Sequence, residues 1–142
     1  MENRHLCRGK RTDNGEWVEG FYFCMTHPNG RHTHHFIIPL GTDLSLGTPI
    51  EKIQVEMDSD TICWCTGLKD KNGKLIWEND IANCMDAECC GYISWNESEA
   101  GFYFNVLLED GRFEEEHIYD YQDCMEVIGN NFDNPELLEV GE

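Results

Sequence analysis

Thr66-Gly67-Leu68-Lys69-Asp70-Lys71-Asn72-Gly73-Lys74-Leu75-Ile76-Trp77-Glu78-Asn79-Asp80-Ile81 is the stretch on which the fold turns. A two-residue hairpin loop needs positive φ at both positions. Asn and Gly tolerate this best, so Asn72-Gly73 predicts a tight β-hairpin. Leu75 and Trp77 alternate with Lys74, Ile76 and Glu78, in a run short enough to read as a strand. Asp80 then reads as a turn residue whose carboxylate accepts backbone amides ahead of the next strand.

Upstream, Ile62-Cys63-Trp64-Cys65 reads as a strand with Cys63 and Cys65 on one face and Trp64 on the other. Asp58-Ser59-Asp60 turns into it. Ile53, Val55 and Met57 alternate with Gln54 and Glu56, the pattern of a half-buried strand. Glu16 to Met25 is aromatic and β-branched, a strand with Gly20 at a bend or bulge, entered from a hairpin at Asn14-Gly15. A second hairpin turns through Thr26-His27-Pro28-Asn29-Gly30 into Phe36-Ile37-Ile38, which Pro39 ends. Leu40 to Thr48 reads as a surface loop.

Downstream, Cys84 to Cys90 reads as a loop or bent strand before Tyr92, Ile93 and Trp95, and Asn96 to Gly101 as a turn. Phe102 to Leu108 and Phe113 to Tyr119 flank Asp110-Gly111 and predict a further hairpin. Val127 and Ile128 form a closing strand. Asn134-Pro135 predicts a capped short helix over Pro135 to Glu139. The expected class is mainly β, a β-rich α+β chain with little helix. A small antiparallel barrel-like subdomain over residues 66–142 is expected to pack on an N-terminal β-hairpin subdomain over residues 1–65. The order of strand, hairpin, Gly-x-x-x-Trp strand and hairpin in the second half is similar to an SH3-like barrel, by analogy of order.

Four blocks carry a family resemblance. They are Arg8-Gly9-Lys10-Arg11 with Asn14-Gly15-Glu16-Trp17-Val18 and Gly20; the Thr66 to Ile81 stretch; Gly91, Ile93 and Trp95; and Glu126 to Glu139. In this order they resemble the YopX family of phage and prophage proteins, whose signature is a Thr-Gly-Leu-x-Asp-x-Asn-Gly hairpin running into a Glu-Gly-Asp-Ile-Val strand entry. Asn79 replaces the family's Gly and Ala82 its β-branched residue. If that Gly sits at positive φ, Asn79 is the next most tolerable occupant. The resemblance implies a phage or prophage accessory protein and brings with it no specific biochemical activity.

The charge limits the choice of partner. Ten basic against twenty-eight acidic side chains leave a net charge of −18, which repels nucleic-acid phosphates and anionic membrane surfaces. Direct nucleic-acid binding by the bulk surface is therefore not expected. From Glu97 onward, fourteen acids face Arg112 alone, a net −13, so a basic protein partner is expected. With no apolar run of about eighteen residues and no basic-then-apolar leader, no membrane association is expected, and the chain is placed in the cytoplasm of a bacterial host. There the eight Cys are expected as thiols. Cys24, Cys63, Cys65, Cys84 and Cys124 lie in apolar or strand-like runs and read as small buried hydrophobes.

Two clusters have ligand chemistry. Cys24, His27, His32, His34 and His35 fall within twelve residues, and imidazole and thiolate are the usual zinc ligands. Cys84, Cys89 and Cys90 stand beside Asp86 and Glu88, carboxylates expected to raise thiol pKa and so to oppose nucleophilic activation. A zinc site built from His27, His32, His34, His35, Cys84, Cys89 and Cys90 is one reading, and zinc is the one cofactor it entails. No phosphate-binding Gly loop, nucleophile elbow or His-Glu-x-x-His is present, so an enzyme is not expected. Glu114-Glu115-Glu116 reads as a solvated strand face or edge guard, and Arg8 and Lys10 beside Trp17 as charge partners of the acidic half. Three functions follow: a phage-type accessory protein acting by protein contacts and self-association into a homo-oligomer, a zinc-binding protein, and an acidic duplex mimic that inhibits a nucleic-acid-binding protein.

Overall fold

The structure, a computed structural model, describes residues 2–45 and 47–140. Leu46 of the expected surface loop and Glu142 of the acidic stretch lie outside the described residues. The chain divides into two compact units, Glu2–Trp64 and Cys65–Glu142. It is mainly β, and among the described residues the helical segments are 3₁₀ turns of at most four residues. The short apolar runs are the cause, since each is bounded by turn residues before a 3.6-residue period can establish itself.

In the N-terminal unit, β1 (Leu6–Lys10), β2 (Trp17–Thr26), β3 (Thr33–Pro39) and β4 (Val55–Glu56) form an antiparallel sheet in the order β4-β3-β2-β1. The start of β5 (Cys63–Lys69) pairs with β1, Cys7 opposite Trp64. The β1–β2 hairpin closes where Asn14-Gly15 predicts it: Asn14 Oδ1 accepts from Glu16 N at 2.9 Å and Arg11 N donates to Glu16 O at 2.9 Å. The β2–β3 hairpin closes around Asn29-Gly30 by His27 N donating to His32 O at 2.8 Å. Cys7, Ile37 and Met57 form the core, with Val18, Tyr22, Val55 and Ile62 packed against them.

Two expectations are corrected here. Gly20 is neither bend nor bulge, because it pairs in regular register with Pro39. It is Gly because a Cβ would overlap the Ile38 carbonyl oxygen. The half-buried strand from Ile53 shrinks to Val55–Glu56. Ile50–Lys52 is a 3₁₀ turn, and Ile53 N closes it on Ile50 O at 3.0 Å, which removes that donor from any sheet.

In the C-terminal unit, β5 continues into a hairpin with β6 (Leu75–Trp77). The strands β7 (Asp80–Cys84), β8 (Cys89–Asn96), β9 (Gly101–Leu107), β10 (Phe113–His117) and β11 (Met125–Asn130) form a second antiparallel sheet, ordered β10-β9-β8-β7-β11. Its core is Ile76, Ala82, Cys84, Ile93, Phe104, Ile118 and Met125. Ile76 and Trp77 are both buried, so β6 is covered on both faces and does not alternate core with solvent.

The central hairpin forms, with a three-residue loop in place of two. Asp70 N donates to Lys74 O at 2.8 Å and Gly73 N to Asp70 O at 3.0 Å. Gly73 alone takes positive φ (84°), and Asn72 does not. Asp70 sets the longer turn by accepting from Asn72 N and Lys74 N at 2.9 Å each. The β9–β10 loop repeats the pattern, with Leu108 N on Arg112 O and Gly111 N on Leu108 O.

The Cys-rich stretch takes its expected form, and one further expectation is corrected at the C-terminus. Cys84 ends β7 and Cys89, directly opposite it, opens β8, and residues 85–88 make the expected loop between them, with Glu88 N donating to Met85 O at 3.1 Å. The terminal helix is a 3₁₀ turn over Pro135–Leu138, uncapped by Asn134, whose Oδ1 instead accepts from Asn130 N at 3.2 Å.

Candidate functional site

The expected histidine cluster lies on the β2–β3 hairpin of the N-terminal unit, and alternation divides it. His34 and His35 are consecutive on β3 and occupy opposite faces. On one face, His27 Nε2 and His34 Nε2 are 3.1 Å apart, and His34 Nδ1 lies 2.8 Å from Glu56 Oε2 on β4. His32, in the loop, sets its ring edge-on to His27, centroids 6.1 Å apart. On the other face, His35 Nδ1 is 2.6 Å from the Tyr22 hydroxyl. Burial pushes that phenol up to about 12, with the Cys24 thiol adding to the effect, so Tyr22 stays protonated at neutral pH. Cys24 is exposed, against the expectation that it is a core residue.

The expected thiol cluster lies in the C-terminal unit, with altered membership. Cys84 and Cys89 face each other across β7–β8, and the residue that joins them is Cys124, whose Sγ shares the Tyr121 carbonyl with Cys84 at 3.3 and 3.5 Å. Cys90 sits on the opposite face of β8 from Cys89, with its Sγ toward Leu137 O. All eight cysteines are free thiols. Burial raises Cys84, Cys89 and Cys90 above the ordinary thiol range; the neighbouring thiols add to it at Cys84, while at Cys89 Cys124 and Cys90 add to it and the hydrogen bond with Cys84 opposes it. Burial is thus the first cause of the rise at all three, and neither Asp86 nor Glu88 contributes to it. No group of three or more His, Cys, Asp or Glu side chains is positioned to hold a metal ion among the described residues.

The carboxylates divide into anchors and surface. Asp80 is buried and accepts from Trp77 N at 2.8 Å, the expected turn role. Asp70 is buried and accepts from three backbone N–H groups, those of Asn72, Lys74 and Val127. Sequence reasoning missed Asp70, whose only local signal is its place just before Lys71-Asn72-Gly73. Glu114, Glu115 and Glu116 lie on β10, the last strand of its sheet, with the first two exposed. In the N-terminal unit, Arg8 and Lys10 share a strand face with Trp17, the guanidinium carbon 4.8 Å and the ammonium 5.4 Å from its ring centroid. Their charge is set against an aromatic face.

No helix among the described residues is long and apolar enough to cross a membrane. No curated protein matches the chain. The family described as YopX protein matches it over residues 8–139, nearly its whole length, and the chain belongs to that family.

Proposed function

We propose that this member of the YopX family is a phage-type accessory protein that works in the cytoplasm of a bacterial host through protein contacts and self-association. The reading extends to a basic protein partner captured along β10, in the manner of an acidic duplex mimic. The observation that carries it is the placement of Glu114, Glu115 and Glu116 on a terminal sheet strand. A strand edge offers unpaired N–H and C=O groups to an incoming strand, and a row of carboxylates on it repels acidic partners and attracts basic ones. Arg112, the one Lys or Arg after Glu97, already pairs with Asp110 at 2.6 Å.

The test replaces Glu114, Glu115 and Glu116 by Gln and compares recovery of bound protein from host lysate with that of the parent chain. Capture by the parent is expected to weaken as salt shortens the Debye length below about 8 Å, and the variant is expected to capture little even at low salt. Equal recovery by both chains at low and high salt would return the charge to a solubility role.

A further inference from the structure

The register of the β2–β3 hairpin brings His34 beside Met25, and the loop returns His27 onto the same face. Glu56 then decides what His34 offers. A carboxylate oxygen only accepts, so neutral His34 carries its proton on Nδ1, 2.8 Å from Glu56 Oε2, and turns a bare Nε2 lone pair toward His27. The two Nε2 atoms stand 3.1 Å apart. Two imidazoles on one tetrahedral ion, with metal–nitrogen bonds of about 2.0–2.1 Å, hold their nitrogens about 3.3 Å apart. The separation of the two nitrogens is thus within a few tenths of an ångström of the ligating one before any ion arrives.

We propose that His27 Nε2 and His34 Nε2 form a two-imidazole site for a divalent transition ion of the zinc class, with Glu56 as the outer carboxylate that orients His34. Without the ion, His27 Nε2–H donates to His34 Nε2. With it, His27 carries its proton on Nδ1 and both Nε2 lone pairs point at the metal. Carboxylate–imidazole–metal chains of this kind fix the tautomer and raise ligand basicity. No third protein ligand is in position among the described residues, so the remaining coordination positions are open to water. A cavity of about 230 Å³ lined by Met25, Thr26, His27, Pro28, His34 and Phe36 gives the space for it. His35 is held on the other strand face by Tyr22.

The test is calorimetric titration of zinc chloride into the full chain, purified without a histidine tag at a pH above neutral. One ion per chain is expected. His27→Ala and His34→Ala should each weaken binding at least tenfold, Glu56→Ala by about 10- to 100-fold, and His117→Ala not at all. Absence of saturable zinc binding, or zinc affinity unchanged in His27→Ala and His34→Ala, overturns the proposal. Nitrogen-detected NMR of the parent chain gives a reading that does not depend on the variants folding. Zinc should shift the imidazole nitrogens of His27 and His34 and leave those of His5 and His117 in place, and the reverse pattern also overturns it.

Discussion

Asp70 shows how one carboxylate ties distant backbone together. Burial alone raises its carboxyl, but the N–H groups of Val127, Lys74 and Asn72 outweigh that and hold it below the usual carboxylate range. A depressed native pKa stabilises the fold in full above the unfolded value of about 3.9 and loses that contribution as pH falls through the native value. Asp70→Ala is expected to cost about 1–3 kcal/mol at neutral pH by stranding buried donors. Its urea midpoint should also fall less steeply than the parent's below about pH 4. Parallel acid slopes for the two chains would contradict the assignment. Asn79 is the second residue of this kind. Its φ is 70°, its N donates to Ile93 O at 2.8 Å and its O accepts from Asn131 N at 2.9 Å. Asn79→Gly should be more stable than Asn79→Ala by about 1 kcal/mol, since Ala meets the left-handed penalty without an amide side chain to offset it. Equilibrium unfolding of the two variants decides this.

Among the elements, β2 is one whose pairing depends on a missing side chain, as β8 does at Gly91. Gly20 lets the β2 and β3 backbones approach, and an added Cβ would overlap the Ile38 carbonyl and stand 2.9 Å from Ile37 Cγ2. Neither obstacle is the far end of a flexible chain. Gly20→Ala should cost at least about 1–3 kcal/mol, as overpacking does in a closed core. A urea midpoint equal to the parent's would show that the two strands do not lie so close. The edge strand β10 tolerates change for the opposite reason: Glu114 and Glu115 are exposed, so their replacement by Gln should leave the unfolding free energy within about 0.5 kcal/mol of the parent's.

Across the whole molecule, the thiols and the charge make separate predictions. Cys7, Cys63, Cys65 and Cys84 are buried, and Cys24 is exposed. Thiol labelling of the native chain should therefore modify Cys24 first, with the four buried thiols reacting only in denaturant. Rapid native labelling of Cys84 would contradict its place in the core. Self-association, part of the function proposed above, should appear in light scattering as a mass that rises with concentration above that of one 16.5 kDa chain. A strict monomer at every concentration removes it. Association with a basic partner should slow steeply with added salt, because steering by a net charge of −18 acts over a Debye length.

What the amino-acid sequence determined by itself is local. Asn14-Gly15, Asn29-Gly30, Asn72-Gly73 and Asp110-Gly111 mark four hairpins because neighbouring residues alone decide whether a chain can turn. Alternation correctly divides Cys63 and Cys65 from Trp64, and Asn79 does stand at positive φ. The loop at Asn72-Gly73 is longer than the dipeptide predicts because Asp70, two residues before it, draws the turn onto its own carboxylate. What only the tertiary structure decided is long-range. Glu56 reaches His34 from 22 residues away, Val127 reaches Asp70 from 57, and Cys124 rather than Cys90 joins Cys84 and Cys89. Such pairings follow from strand register, and register is set by the burial of a whole sheet face rather than by any residue's neighbours in the chain.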